Sequence, residues 1–173
     1  MGELLDDVNR LIRDVPDFPK PGILFKDIMP VLADPEVFGR VIQWMADDQP
    51  HIDKVVGMES RGFIFACALV APLRAGFIPA RKAGKLPGEV TGQKYDLEYG
   101  TATLEMQTDA FKPGEKVLIV DDLLATGGTA AATVELVRRL GAEVVGCCFL
   151  VELAFLPGRA QLDVPVRTLV KVG

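Results

Sequence analysis

The stretch Val117 to Thr129, VLIVDDLLATGGT, holds the residue types needed to grip a sugar phosphate. The apolar run Val117 to Val120 reads as a buried strand. Two adjacent acids follow, Asp121 and Asp122. A small-residue loop, Ala125, Thr126, Gly127, Gly128 and Thr129, then opens a helix. A helix N-terminus offers unpaired N–H groups and positive partial charge, so it holds an anion. The glycines let backbone approach a phosphate closely, and the Thr126 and Thr129 hydroxyls add hydrogen bonds. Two carboxylates facing that phosphate would repel it. They suit neutral hydroxyls, as on a ribose, or a metal. The plain alternative is an exposed Asp-Asp turn before a glycine-rich helix start.

A second cluster is cationic. Arg81, Lys82, Lys85 and Lys94 face only Glu89 between positions 81 and 94. On a chain of net charge -5, such a loop suits a bound polyanion, with pyrophosphate a good candidate. The alternative is a solvated charge run. Other chemistry is excluded by what is scarce. His51 is the one histidine and sits near a helix end, so triads built on histidine are ruled out. Cys67, Cys147 and Cys148 stand in apolar settings, form no CxxC pair and read as packing residues. No zinc spacing, GxxxxGK[ST] or strand-following GxGxxG occurs.

The elements that must position these residues follow from periodicity. Leu4, Leu5, Val8, Leu11, Ile12 and Val15 predict an amphipathic first helix. Pro16, Pro19, Pro21 and Gly22 break it, so Asp14 to Pro30 reads as an irregular arm, extended around Ile23 to Phe25. A second helix covers Val37 to Met45, with Asp34 as its cap and Pro35 in its first turn. Strands are predicted at Lys54–Met58, Gly76–Ala80, Thr101–Met106, Lys116–Val120, Ala142–Val151 and Val164–Val170. Helices are predicted at Gly62–Arg74 and Thr129–Leu140. Lys82 to Gly100 reads as a long polar loop with some hairpin character. Strands alternating with helices imply an α/β fold: a parallel sheet with helices on both faces.

Length and composition bound the rest. A chain of 173 residues fits a single domain spanning 1–173. A hydrophobic share of 49% and a charged share of 25% are ordinary for a globular protein. The acidic balance argues against a nucleic-acid partner. The start, MGELLDD, has no signal-peptide pattern, and the apolar run from Gly62 to Leu73 is too short to cross a membrane. A soluble, cytoplasmic protein is expected.

At the DDLLATGGT segment the chain resembles the type I phosphoribosyltransferase family. DFPKPGILFKDIMPVLADP, ESRGF, RKAGKLPG, YDLEYGTATLEMQ and, more weakly, VELAFLPGR are similar to the adenine-using branch of that family. These segments run in order along nearly the whole chain. The resemblance implies a parallel-sheet fold with an N-terminal arm within 1–34, a hood over the base site, and a flexible lid at 82–100. It implies that Ala125 to Thr129 bind the 5′-phosphate and that Asp121 and Asp122 bind the ribose hydroxyls. It places the Leu24 backbone against the adenine edge. A carbonyl there accepts from a 6-amino group and opposes a 6-oxo group. Phe25 and Leu123 would sandwich the ring, ordinary core packing being the alternative for Phe25. Lys26 stands where relatives often carry Arg.

Arg61, Arg81, Lys82 and Lys85 are implied to hold pyrophosphate, with Arg61 alternatively in the base pocket or in a surface ion pair. Ala83 stands where some relatives carry a charge. The peptide joining Glu59 and Ser60 is expected in an unusual geometry. Glu98 is the implied general acid/base, the alternative being that it only orders its loop. The implied partners are adenine and phosphoribosyl pyrophosphate, and the implied cofactor is Mg²⁺ held mainly by substrate oxygens. A homodimer is implied, with Arg81 reaching the neighbouring site. Transfer to another base, or a non-catalytic nucleotide sensor of the same fold, are the alternatives.

Overall fold

A computed structural model describes residues 2–96 and 100–173. Its contacts gather into two compact units, one through Asp47 and one from Asp48 to Gly173.

The first unit holds helix α1 (Gly2–Leu11), strands β1 (Arg13–Pro16) and β2 (Leu24–Asp27), and helices α2 (Met29–Ala33) and α3 (Pro35–Ala46). The Asp34 carboxylate accepts from the N–H groups of Glu36 and Val37 at 3.1 and 3.0 Å, so it caps α3 as its sequence position predicts. Arg40 of α3 donates to Asp7 of α1 at 2.8 Å. The first helix is shorter than its apolar periodicity predicts. It stops at Leu11, because Arg13 to Pro16 pair antiparallel with Leu24 to Asp27. That hairpin orders much of the expected irregular arm. Two cross-strand ion pairs in register hold it, Arg13 to Asp27 at 2.7 Å and Lys26 to Asp14 at 2.5 Å.

The second unit is a seven-stranded sheet, β5-β6-β4-β3-β7-β8-β9. Its strands are β3 (Lys54–Met58), β4 (Gly76–Lys82), β5 (Val90–Asp96), β6 (Thr101–Gln107), β7 (Lys116–Leu124), β8 (Glu143–Leu153) and β9 (Val166–Val172). β4, β3, β7, β8 and β9 run parallel. β6 is antiparallel to both β4 and β5. Helix α4 (Gly62–Leu73) joins β3 to β4, and α5 (Gly128–Arg139) leads from β7 to β8. A 3₁₀ turn (Pro157–Gln161) follows β8.

The two helices lie on opposite faces. A Cβ on Gly57 of β3 would meet Ala66 of α4. Its neighbours Val56 and Met58 join the buried cluster that includes Val134 and Val137 of α5. Adjacent strand residues point to opposite faces, so α4 covers one side and α5 the other. The parallel α/β class therefore stands. The stretch Lys82 to Gly100, read as a long polar loop with some hairpin character, contains β5, which pairs antiparallel with β6. Cys147 and Cys148 are buried, whereas Cys67 is exposed on α4. The packing role expected for Cys67 is therefore corrected: an all-apolar helix hides which of its faces turns outward.

Candidate active site

Strand β7 does not end at its acids. Its pairing with β3 stops at Val120, while its pairing with β8 continues to Leu124. Asp121 and Asp122 therefore sit just past the end of β3, at the carboxyl edge of the sheet. Here β3 leads through α4 to one side and β7 through α5 to the other. Such a switch point is where open α/β sheets leave a crevice for a ligand.

Two adjoining crevices occupy this edge. The first, about 100 Å³, is lined by Met58, Asp121, Phe149 and the loop from Leu123 to Ala130. Gly127 takes a left-handed conformation, φ 86°, and stands at the start of α5 with no side chain capping the helix. Ala131 N–H already bonds the Gly127 carbonyl at 2.8 Å. The N–H groups of Gly128, Thr129 and Ala130 precede that bond and are the first-turn donors of α5. A short loop and a bare helix start thus present an anion site, with the helix dipole aligned to favour it.

The second crevice, about 370 Å³, is lined by Glu59, Ser60, Arg61, Asp121, Asp122 and Leu123. Asp122 is 4% exposed and receives Arg61 Nε at 2.8 Å. The Asp121 carboxylate accepts from the Asp122 N–H at 2.8 Å. Removal from water pushes the Asp121 carboxyl well above the usual range, and the adjacent Asp122 charge adds to that, offset in part by Arg61. α4 starts directly against this pair: a Cβ on Gly62 would lie 2.8 Å from Asp121 Oδ1. A carboxylate pair with Asp122 buried and Asp121 half-buried is costly for the fold and suits a ligand that donates hydroxyl hydrogen bonds.

Two of the four predicted cations, and the backbone of a third, gather around Glu59, a residue whose place in the site the sequence reading did not anticipate. Lys85 Nζ reaches Glu59 Oε1 at 2.6 Å, Arg81 Nε reaches Oε2 at 3.3 Å, and the Lys82 N–H donates to Oε2 at 3.0 Å. Led by the Lys85 hydrogen bond, these partners pull the Glu59 carboxyl down to about 2. Glu59 is thus a fixed anion that holds Arg81 and Lys85 beside the crevice it lines. The Glu59–Ser60 peptide is cis, the unusual geometry that the resemblance implies. Lys94 stands apart on β5, lining a different crevice with Gln93, Tyr95 and Thr126. Within the first unit, Leu24 is 51% exposed, Phe25 packs edge-on against Phe18 at 5.1 Å, and Lys26 is the hairpin strut already described. Glu98 lies outside the described residues.

Behind the phosphate-type loop lies a turn that sequence reading also passed over. A Cβ on Gly127 would come within 2.5 Å of the Gly158 carbonyl, and one on Gly158 within 2.1 Å of the Ala125 carbonyl. The two backbones are in direct contact, which only glycine allows at both positions. The GR of VELAFLPGR was the one available signal.

Among the described residues, no three His, Cys, Asp or Glu side chains gather as a metal cage. The donors that are present, two adjacent carboxylates on a crevice wall, fit a magnesium ion that brings most of its ligands on a polyphosphate and its waters.

Known proteins resemble this chain along nearly its whole length. The family model described as Phosphoribosyl transferase domain matches residues 33–172. An adenine phosphoribosyltransferase of Myxococcus xanthus is 57% identical over 161 residues, covering 92% of this chain and 88% of the relative. The crystal structure of adenine phosphoribosyltransferase from Rhodothermus marinus superposes with a TM-score of 0.95 at 52% identity, covering 99% of this chain and all of that one, 100%. The Saccharomyces cerevisiae enzyme, solved in complex with adenine and an imino-altritol bisphosphate, has a TM-score of 0.92 at 42% identity, covering 98% of this chain and 99% of its own.

Proposed function

We infer the reaction from one premise: this chain belongs to the phosphoribosyltransferase family, in its adenine phosphoribosyltransferase branch. It transfers the 5-phosphoribosyl group from phosphoribosyl pyrophosphate to adenine, giving AMP and pyrophosphate, a purine-salvage step. The observation that carries the reading is the pair of adjoining crevices. A bare helix start built for a phosphate stands next to two carboxylates built for hydroxyls.

In this reading the 5′-phosphate rests on Ala125 to Thr129. The ribose hydroxyls donate to Asp121 and Asp122, which accounts for two acids beside an anion site. Arg61, Arg81, Lys82 and Lys85 flank the pyrophosphate. Arg61 and Arg81 draw negative charge toward the leaving side of C1, where charge develops as the bond to pyrophosphate breaks. Magnesium, when bound through the pyrophosphate, neutralises part of that charge. The family resemblance assigns Phe25 and Leu123 to the adenine ring and the Leu24 carbonyl to its 6-amino group, while Lys26 braces the hairpin that carries Phe25. Glu98 takes the purine proton as N9 attacks.

The family resemblance assigns 1–173 to one domain, 1–34 to a hood and 82–100 to a lid that keeps water from C1. Within that stretch, Val90–Asp96 form strand β5, which carries Lys94. The protein works in the cytoplasm as a homodimer, with Arg81 near the neighbouring site. No helix among the described residues is long and apolar enough to cross a membrane.

The test is adenine-dependent release of pyrophosphate from phosphoribosyl pyrophosphate and Mg²⁺, with hypoxanthine and orotate as controls. Release with adenine alone is expected. Equal release with hypoxanthine would remove the role given to the Leu24 carbonyl, and release only with orotate would overturn the base assignment.

A further inference from the structure

The loop that receives the phosphate has no stiffness of its own: Ala125, Thr126, Gly127 and Gly128 are small residues between a strand end and a helix start. What holds it lies on its far side. The turn Pro157–Gln161 presses its Gly158 backbone against Ala125 and Gly127. That turn is itself clamped to the sheet by Arg159. Arg159 Nε donates to Glu152 Oε1 at 2.8 Å and Nη2 to Oε2 at 2.6 Å, a two-pronged pair. Nη1 donates to the Val166 carbonyl at 2.8 Å, which ties the turn to β9. Thr168 of β9 closes the ring, donating to Glu152 Oε2 at 2.8 Å. Glu152 is 5% exposed, while the Arg159 side chain is 41% exposed, so the buried acid anchors a clamp that solvent reaches from the arginine side.

We propose that Arg159, clamped by Glu152 and Thr168, is a positioning residue for the phosphoribosyl donor: it seats Gly158 against the Ala125–Gly127 backbone and so sets the N–H groups that receive the 5′-phosphate. The clamp reaches the ligand only through that backbone contact. Its loss therefore weakens the hold on the phosphate and leaves the base site unchanged. An error of about 1 Å in such a cradle is enough to cost up to about 10²-fold.

The proposal rests on the reaction inferred above, and the experiment separates the two. Arg159→Met, Arg159→Lys and Gly158→Ala are compared with wild type. The readouts are KM for phosphoribosyl pyrophosphate, KM for adenine, and affinity for ribose 5-phosphate by calorimetry. Arg159→Met is expected to raise KM for the donor and Kd for ribose 5-phosphate by about tenfold or more, with KM for adenine within about twofold. Arg159→Lys keeps the charge but loses the fork, and is expected to fall between the two. Gly158→Ala leaves the ion pair intact and pushes on the Ala125 carbonyl, so it is expected to reproduce the Arg159→Met pattern. Should Arg159→Met fail to fold, the other two variants carry the comparison. Variants that lose thermal stability yet bind ribose 5-phosphate like wild type would overturn the proposal. A wild type that binds ribose 5-phosphate but does not use adenine would overturn the inferred reaction, and the binding ratios would still decide the clamp.

Discussion

At the scale of single residues, the site is built from groups that are costly to the fold. Asp121 is an acid pushed up by burial and by its neighbour Asp122. An acid whose folded pKa is raised favours the folded state most in acid, and that advantage is lost as pH rises through the folded value. At neutral pH this acid therefore opposes folding. Asp121→Asn keeps the shape and the acceptor for the Asp122 N–H. We expect it to raise Tm at pH 7 and, combined with Asp122→Asn, to abolish turnover. A scan of thermal unfolding beside the pyrophosphate assay checks both. An unchanged or lowered Tm for the single variant would show that Arg61 already compensates the charge, and near-normal turnover in the double variant would remove the ribose assignment. Glu98→Gln removes only a titrating carboxylate. Single-turnover rates are expected to fall roughly 10²-fold, with KM for the donor little changed. A Gln variant within about threefold of wild type would leave proton removal to solvent or another group.

At the scale of elements, the parallel core positions the crevice and the β8–β9 edge braces it. Glu152 is held down to about 2, first by the Arg159 hydrogen bond and then by Thr168, with Lys171 adding a favourable charge. A depressed acid stabilises the fold above its unfolded value, about 4.3, and that contribution is lost as pH falls toward about 2. Wild type should thus lose Tm more steeply than Glu152→Gln between those limits, and the gap between them should be widest above pH 5. Parallel Tm curves for the two proteins would show that the pair contributes no differential stability. The same element-scale view separates β5 from a free loop. Arg139 of α5 donates to the Gly92 carbonyl of β5 at 3.0 Å, so this strand is anchored to α5.

At the scale of the whole molecule, the proposed homodimer is a question of mass. Sedimentation at micromolar protein is expected to give about twice 18.7 kDa. A fully active monomer would exclude any part for Arg81 in a neighbouring site. Within one chain Arg81 is already engaged. It donates to Glu59 and to the Lys85 carbonyl, and stands 6.0 Å from the Phe63 ring centre. A reach to another subunit would have to release the Glu59 contact, a part-buried pair at 3.3 Å.

Sequence alone determined what is contiguous along the chain. Asp121, Asp122 and the Ala125–Thr129 loop are neighbours in order, so a phosphate-type loop beside two acids for hydroxyls or a metal could be read before any fold was known. Asp34 capping α3 and the apolar runs of β3 and β7 are equally local signals. Tertiary structure decided what depends on a distant partner. Arg13 to Pro16 carry a helical apolar period, yet antiparallel pairing with β2 wins their conformation. β5 is a polar, glycine-bearing segment that becomes a strand only because β6 supplies its hydrogen bonds. Glu59 meets Arg81 and Lys85 across separations of 22 and 26 residues, and the contact exists because β3 and β4 lie side by side. Arg159 likewise finds Glu152 only after the chain turns back across β8, and Gly158 finds the phosphate-type loop only because that turn is held there. Periodicity and capping act over one turn or one strand. Ion pairs and backbone contacts between elements follow from strand order, which no local pattern of these residues encodes.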